Sequence, residues 1–300
     1  MSIVYMIINV LIFLALAPLF DGIVRKLTAK VQSRQGPPLF QTYYDIIKLL
    51  GKQNIDSAGT WSFRIAPVMA MASILCVVAL IPLGGQENIF TQYGDVISLI
   101  YLLTLGGVAI LLGAISSRNT FALMGASREM ITMILVEPVL AMLLILGAVK
   151  VSSLGIGAAL TGVTAGGYGI AVLLMMLVYI MALQAFVARQ PFDIAEAEIE
   201  ILEGPFIEYS GPNYALFKYY MLIKQMFYAS LFVIVFNPIA LTGMYALNLL
   251  IQFAGILLIF VLIALVSSTN PRLRIDQAVK YYAFLIVLSI GAVGLTVYGI

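Results

Sequence analysis

The chain has 300 residues, of which 62% belong to the apolar set AVILMFWYC and only 10% are charged. An average soluble domain carries about 25% charged residues, so this composition excludes a protein whose whole surface faces water. The net charge of +2 is too small to indicate a nucleic-acid partner, and the chain has no histidine and one cysteine, Cys76. These counts exclude histidine catalysis, histidine-ligated haem, the usual zinc sites and iron–sulfur clusters, so any electron transfer must occur in a partner.

Charge-free intervals predict eight membrane-spanning helices, because a span needs about 20 mostly apolar residues. The intervals are Ile3–Phe20, 65–86, 96–117, Ile170–Ala188, two halves of 225–271, and Tyr281–Ile300, together with 130–149, which one charge, Glu137, interrupts. The first helix is expected to stop at Asp21. A glycine-rich loop at 155–167 precedes the fifth span, and Asn237-Pro238 with Gly243 is expected to divide the sixth from the seventh.

The basic residues predict the orientation, since Lys and Arg gather on the cytoplasmic side of a membrane. With the N-terminus outside, 14 of the 16 basic residues lie in inner loops, Lys224 lies just inside a helix on the same side, and only Lys150 lies outside. The sequence therefore predicts an all-α integral membrane protein, one polytopic domain over residues 1–300, with both termini outside. No basic segment precedes Ile3, so a signal peptide is not expected.

The inner loop 25–64 contains a predicted amphipathic helix at Pro38–Gly51. Leu39, Tyr43 and Ile46 recur at helical spacing, which is typical of a helix lying in the membrane surface. The pattern alone leaves open whether this helix is a docking element or only an interfacial anchor.

The inner loop 189–218 holds six of the chain's 14 acidic residues, namely Asp193, Glu196, Glu198, Glu200, Glu203 and Glu208. On a helix, four of them share one face and Glu198 lies opposite. Those four are Asp193, Glu196, Glu200 and Glu203. In water such a face is only a solvated acidic helix, but beside a membrane interior close carboxylates raise one another's pKa and can share protons. Gly204-Pro205 is expected to end this helix.

Glu137 is the one acid predicted within the fourth span, and Pro138 follows it. A charged side chain at membrane depth costs at least about 2.5 to 3.5 kcal/mol, so such a residue is a functional candidate. The alternative is a structural carboxylate bonded to a neighbouring helix. Arg128, Lys224 and Arg25 are its expected partners.

The motifs resemble the membrane subunit shared by respiratory complex I (its subunit 1, or H) and the energy-converting membrane-bound [NiFe] hydrogenases. The resemblance rests on Arg189-Gln-Pro-Phe-Asp-Ile-Ala-Glu-Ala-Glu-Ile-Glu-Ile-Leu-Glu-Gly-Pro205, Gln35-Gly-Pro37, Asp45-Ile-Ile-Lys-Leu-Leu50, Ser127-Arg-Glu129, Val136-Glu-Pro138 and Pro271-Arg-Leu-Arg-Ile-Asp-Gln277. Complex I members carry a longer segment before the amphipathic helix, whereas here Gly36-Pro37-Pro38 leads almost directly into it. This difference favours the formate hydrogenlyase or Ech-type branch and argues against a quinone site.

The resemblance implies a non-catalytic anchor and coupling subunit of an oxidoreductase complex in the cytoplasmic membrane. It implies no cofactor in this chain, with the [NiFe] centre and iron–sulfur clusters held by partners. Those partners are hydrogenase large and small subunits, a ferredoxin-like iron–sulfur subunit and antiporter-like membrane subunits, within the lipid bilayer. The coupling residues it implies are Glu137, Asp193, Glu196, Glu200, Glu203, Arg128 and Lys224. The residues it implies for docking and for a cavity corresponding to the quinone chamber are Arg34, Asp45, Lys48, Arg189, Glu198 and Glu208.

Three alternatives stay open from the sequence. In the first, the acidic loop is a pure scaffold that binds basic surfaces of partner subunits. In the second, the chain belongs to a quinone- or methanophenazine-reducing complex. A stand-alone transporter fits the hydropathy equally well, but no inverted repeat is visible.

Overall fold

The computed structural model describes residues 2–86, 88–236 and 244–299. Within these ranges the chain is helical and contains no named strand. The helices are α1 (Ser2–Val31), α2 (Gln41–Leu50), α3 (Trp61–Leu80), α4 (Ile89–Tyr93), α5 (Val96–Ser116), α6 (Thr120–Val151), α7 (Ile156–Gly162), α8 (Ile170–Phe186), α9 (Glu198–Ile201), α10 (Gly211–Phe236), α11 (Tyr245–Thr269) and α12 (Ile275–Val297), with a 3₁₀ turn at Gly204–Phe206.

Seven of the described helices are long and apolar enough to cross a membrane, namely α1, α3, α5, α6, α10, α11 and α12. The predicted eight spans are therefore not confirmed. The remaining apolar helix, α8, has 17 residues and is about 26 Å long at 1.5 Å per residue. Tyr168, just before α8, donates to the Phe236 carbonyl at the end of α10, while Arg189, just after α8, pairs with Asp21. Arg189 also bonds Gln225, eleven residues before Phe236 on α10, so α8 lies beside the second half of α10. Its crossing of the bilayer stays a prediction.

Helix α1 continues ten residues past the predicted stop at Asp21 and ends at Val31. The charge does not end the helix because the Asp21 carboxylate is buried and pairs with Arg25 at 2.9 Å and with Arg189. Thr42 donates a further hydrogen bond to it at 2.9 Å. Neutralised in this way, the carboxylate lies inside the bundle rather than in water.

The amphipathic helix is confirmed as α2, which begins at Gln41 rather than Pro38. Thr42 and Ile46 are buried against the bundle, whereas Tyr44 and Ile47 are exposed. The buried stripe therefore differs from the predicted one, because the polar Thr42 faces inward to bond Asp21.

Charged loops gather at one end of the bundle, which we call the charged end. It comprises segments 32–60, 117–119, 187–210 and 270–274, and contacts such as Asn119 Nδ2 to Glu208 Oε1 at 2.6 Å and Ile55 N to Ser210 Oγ at 3.0 Å join them. The opposite end carries α4 and α7, joined where Ile156 N at the start of α7 donates to the carbonyl of Gly94 at the end of α4, at 3.0 Å. Several basic residues predicted in inner loops lie on helices instead, among them Arg25, Arg128 and Lys280. The cellular side of each end stays a prediction. The expected break at Asn237-Pro238 and Gly243 lies outside the described residues.

The predicted acidic helix over 193–203 is wrong. Only four residues there are helical, in α9, and Leu202, Glu203 and Gly204 have positive φ values of 50°, 67° and 47°. Side chains with a Cβ rarely adopt this conformation, and no right-handed helix passes through it. The acids therefore do not share one helical face. Glu200 pairs with Arg128 of α6, whereas Asp193 pairs with Arg272 in the loop between α11 and α12.

Three spanning helices contain an internal proline: Pro18 in α1, Pro67 in α3 and Pro138 in α6. A proline removes the N–H that would bond the carbonyl four residues earlier. The Tyr219 hydroxyl donates to the freed carbonyl of Leu14, and the Tyr209 hydroxyl donates to that of Phe63 at 3.0 Å. Tyrosine hydroxyl groups from other segments thus donate hydrogen bonds to two of the three carbonyls that the prolines leave free.

Candidate functional site: a buried acidic path

A narrow cavity of about 60 Å³ lies among α5, α6, α10 and the segment 185–206. We call it the inner cavity. A cavity needs roughly 10 to 15 Å³ to hold one water, so it has room for a short file of waters. Its charged lining residues within the described chain are Glu129, Glu137, Asp193, Glu196 and Lys224.

Helical spacing brings the groups of the inner cavity together. On α6, Glu129, Met133 and Glu137 are four residues apart, and on α10 Tyr220, Lys224 and Tyr228 have the same spacing. Residues at i, i+4 and i+8 lie on one face of a helix, so each helix turns one polar stripe toward the cavity.

The Lys224 ammonium lies beside the aromatic ring of Tyr220, with Nζ 6.0 Å from the ring centroid. Gly106 of α5 makes room there, because a Cβ at Gly106 would meet the Tyr220 ring at 2.8 Å. An ammonium so far inside the bundle is stable only with such partners and nearby carboxylates.

Glu137 and Lys224 line the same cavity, and in the described part of the chain neither forms an ion pair within 4.0 Å. Of the three expected basic partners of Glu137, only Lys224 lies near it. Arg25 pairs with Asp21, and Arg128 pairs with Glu200. Glu137 is therefore a carboxylate that faces a small cavity with one nearby cation.

A second, larger cavity of about 610 Å³ opens at the charged end and is called the outer cavity. Its lining includes Arg25, Arg34, Arg189, Lys218 and Arg272 with Asp21, Asp193, Glu196 and Glu203. Of the residues expected in a quinone-like cavity, Arg34 and Arg189 line it. Asp45 and Lys48 do not, since Asp45 bonds Arg25 at 3.5 Å and Gln41 at 3.0 Å, and Lys48 is exposed on α2.

Glu196 lines both cavities, together with Asp193, Phe206 and Met221. Burial of its carboxyl group raises the pKa of Glu196 to about 8, and the nearby Asp193 and Glu129 carboxylates act in the same direction. A carboxyl group with this pKa exchanges its proton near neutral pH. Glu196 therefore stands at the boundary between the outer and the inner cavity in a titratable state.

The other loop acids have partners of different kinds. Asp193 pairs with Arg272 at 2.7 Å and Glu200 pairs with Arg128 at 2.8 Å. The Arg128 guanidinium holds the pKa of Glu200 below its ordinary value. Glu208 accepts the hydrogen bond from Asn119, and the side chain of Glu198 lies outside the described part of the structure.

Several site residues carry a signal that sequence reasoning missed. Tyr220 and Tyr228 flank Lys224 at i−4 and i+4, a spacing that marks one helical face. Glu129 also lines the inner cavity, eight residues before Glu137 on the same face of α6. The described residues contain no cluster of three or more His, Cys, Asp or Glu side chains placed to hold a metal ion.

The fold and the site define a multi-pass membrane protein with a path of carboxyl groups leading from one end into its interior. The chain belongs to the NADH dehydrogenase family, whose sequence profile matches residues 3–297. This finding confirms the family resemblance seen in the motifs.

Relatives from both branches of the resemblance match nearly the whole chain. It is 33% identical to formate hydrogenlyase subunit 4 of Escherichia coli K12 over 285 residues, covering 92% of each chain. It is 35% identical to hydrogenase-4 component C of the same organism over 280 residues, 91% of this chain and 89% of that protein. The H component of the NADH-quinone oxidoreductase of Bacillus cytotoxicus is 29% identical over 292 residues, 90% of this chain and 86% of that protein.

A solved structure has the same fold. It is the membrane-bound sulfane sulfur reductase, described as an archaeal respiratory membrane complex, in which one chain superposes with a TM-score of 0.84. The match covers 98% of this chain and 99% of that one at 24% sequence identity.

Proposed function

We propose that this chain is the membrane anchor and coupling subunit of an energy-converting hydrogenase-type complex in the cytoplasmic membrane. Its charged end docks a peripheral arm that holds the [NiFe] and iron–sulfur centres, and antiporter-like subunits lie beside it in the bilayer. The identities of 33% and 35% to the formate hydrogenlyase and hydrogenase-4 components support this branch. The chain itself binds no redox centre in this proposal.

The observation that carries the coupling role is the position of Glu196 in the walls of both cavities. A proton enters the outer cavity from the charged end and is held by Glu196. It then passes through the waters of the inner cavity to Glu129 and Glu137, where Lys224 stabilises the ionised form. Each step moves a proton between carboxyl groups that line the same cavity.

A change of charge near the 187–210 segment biases this path. Two unit charges about 8 Å apart, at an effective dielectric constant near 20, interact by about 2 kcal/mol, or roughly 1.5 pKa units. Such a change is enough to load or unload a carboxyl group whose pKa is about 8. Electron transfer in the docked arm supplies the charge, and this chain's carboxyl groups respond.

The test is Glu137→Gln in the whole complex, reconstituted in lipid vesicles, with Asp276→Asn as a matched control. Asp276 is an exposed acid at the start of α12, outside the inner cavity. We expect ion pumping to fall about tenfold or more in Glu137→Gln, as when one proton carrier is lost, while redox turnover and assembly persist. Normal pumping by the fully assembled variant overturns the relay.

The pure scaffold predicts a different result for Glu196→Gln, which is lost assembly rather than lost pumping. The structure supports the scaffold less well, because Asp193 and Glu200 already pair with arginines of this same chain.

A quinone-type reductase is the second candidate, and the size of the outer cavity favours it, since ligand sites commonly enclose about 300 to 1,000 Å³. Identity of 29% to a component of an NADH-quinone oxidoreductase adds support. Quinone-analogue inhibitors decide the matter: inhibition of the intact complex supports this candidate, and insensitivity supports the hydrogenase type.

A further inference from the structure

The third proline break differs from the other two. Pro138 leaves the Ile134 carbonyl without its helical donor, and among the described residues no side chain donates a hydrogen bond to this carbonyl. Tyr219 and Tyr209 fill the same role at the first two breaks. Among the described residues, the Ile134 carbonyl therefore has no tyrosine donor like those of the Leu14 and Phe63 carbonyls.

Water in the inner cavity is not the donor to the Ile134 carbonyl. The cavity wall includes Thr132, Met133, Val136 and Glu137 of α6, but not Ile134. Ile134 is 58% exposed on the outside of the bundle, in the apolar part of α6. Its carbonyl thus belongs to the outward side of the helix.

Lipid cannot supply the missing hydrogen-bond donor to the Ile134 carbonyl. A bilayer interior covers apolar side chains well but offers no hydrogen-bond donor, and a free backbone group costs several kcal/mol there. Irregular backbone at membrane depth occurs where protein or a water-filled cavity covers it. Because the inner cavity lies on the other side of α6, we expect protein to cover the Ile134 carbonyl.

The surface around Ile134 is shaped for a neighbouring helix. Leu123, Met130, Ile134 and Ile145 are all exposed and follow one another at intervals of seven, four and eleven residues, which keeps them on one face of α6. The opposite faces of α6 pack against α5, α7, α8 and α12. The exposed residues of this face are apolar except for Thr120 and Ser127 near its N-terminal end, and small hydroxyl side chains are common where spanning helices pack.

We propose that the exposed face of α6 around Ile134 binds a transmembrane helix of another subunit, and that a hydroxyl or amide side chain of that helix donates a hydrogen bond to the Ile134 carbonyl. The partner is a different chain, because relatives of this protein are named as single components of multi-subunit enzymes. The inference rests on the part of the proposed function that makes this chain a complex subunit. It does not depend on the proton path.

The first test places a photo-crosslinking amino acid at Ile134 in the native complex within its membrane. Leu258 of α11 is the matched control, since it is 64% exposed on a helix without an internal proline. We expect Ile134 to form an adduct with another membrane subunit, above the level given by Leu258. Adducts with lipid alone, or with a second copy of this chain, overturn the proposal. Because crosslinking reports contact and not pumping, its failure leaves the Glu137 experiment intact.

The second test is Pro138→Ala, which returns an N–H to position 138 and gives the Ile134 carbonyl a donor within its own helix. Hydrogen bonds between spanning helices correspond to about 3- to 18-fold in affinity, so retention of the crosslinked subunit in detergent is expected to fall by that factor. Pro67→Ala is the control, because Tyr209 of this chain already serves the carbonyl freed there, and it leaves retention unchanged. Equal retention in both variants overturns the proposed hydrogen bond.

Discussion

The hydroxyl of Tyr219 in α10 donates a hydrogen bond to the carbonyl of Leu14 in α1, the carbonyl that Pro18 deprives of its helical donor. The neighbouring Ala15 carbonyl accepts a hydrogen bond from Tyr43 of α2. Three separate elements therefore meet at the break in α1, one turn before the buried Asp21. Helix α10 also carries Lys224, so this contact sets the position of the wall of the inner cavity.

Tyr219→Phe removes the donor to Leu14 and leaves a partly buried carbonyl unsatisfied, so the free energy of unfolding is expected to fall by about 1 to 2 kcal/mol. In the Pro18→Ala background the same substitution is expected to cost less, since the new N–H at position 18 bonds the Leu14 carbonyl. Thermal unfolding of all four proteins in one detergent measures the coupling. Purely additive effects contradict the pairing of this tyrosine with this proline.

Gly113 of α5 makes room for the second tyrosine. A Cβ at this position would collide with the Tyr209 hydroxyl and approach Ala66 Cβ to 3.1 Å. Gly113→Ala is therefore expected to lower the free energy of unfolding by about 1 to 3 kcal/mol.

Two further variants control the Gly113 experiment. In the Tyr209→Phe background the penalty for Gly113→Ala is expected to shrink, because the colliding hydroxyl is gone. Gly291→Ala in α12, where an added Cβ meets nothing within 4 Å, is expected to be neutral or slightly stabilising. A loss at Gly291 equal to that at Gly113 refutes the steric explanation. Unfolding in detergent gives all three values.

Helix positions could be predicted from the sequence where apolar runs and charges agree. The boundaries of α5 and α8 lie within two residues of the predicted ones because loops or charges bound those runs, whereas α3 begins four residues and ends six residues before its predicted bounds. The end of α1 was missed since Asp21 was treated as a charge in water. Its two arginine partners lie at separations of 4 and 168 residues, and only the nearer one is visible as a local pattern.

The candidate site could be predicted from the sequence in its residue types more than in its geometry. Glu137 and Lys224 were expected near each other, and they line one cavity. The shared face of the loop acids was not found, because Arg128 and Arg272 hold Glu200 and Asp193 by contacts that no helical periodicity encodes. Tertiary ion pairs decided where those acids lie.

Asp21→Asn is expected to be strongly destabilising, because Asp21 is buried inside the bundle. It leaves the guanidinium groups of Arg25 and Arg189 without their shared buried carboxylate, and breaking a buried pair costs about 3 to 5 kcal/mol. Glu200→Gln is the control, because Glu200 is 53% exposed in its pair with Arg128 and an exposed pair contributes less than about 1 kcal/mol. Unfolding in detergent compares the two, and equal losses contradict the burial argument.

Glu196→Gln is expected to change how stability depends on pH. In the folded chain the pKa of Glu196 is raised from 4.5 to about 8, first by burial and then by the Asp193 and Glu129 carboxylates. Between these two pH values the unfolded chain has lost this proton while the folded chain keeps it. The folded state then binds more protons, so its stability falls as pH rises across the window.

The glutamine removes that penalty, so the stability of the variant relative to the parent protein is expected to increase steadily from about pH 4.5 to about pH 8 and to level off above it. Thermal unfolding at a series of pH values measures the difference. Infrared spectroscopy supplies an independent check: we expect the parent protein to show a protonated carboxyl band that disappears on titration near pH 8, and we expect the variant to lack it. A stability difference that stays constant across this range contradicts the position of Glu196 between the two cavities as a proton-holding group.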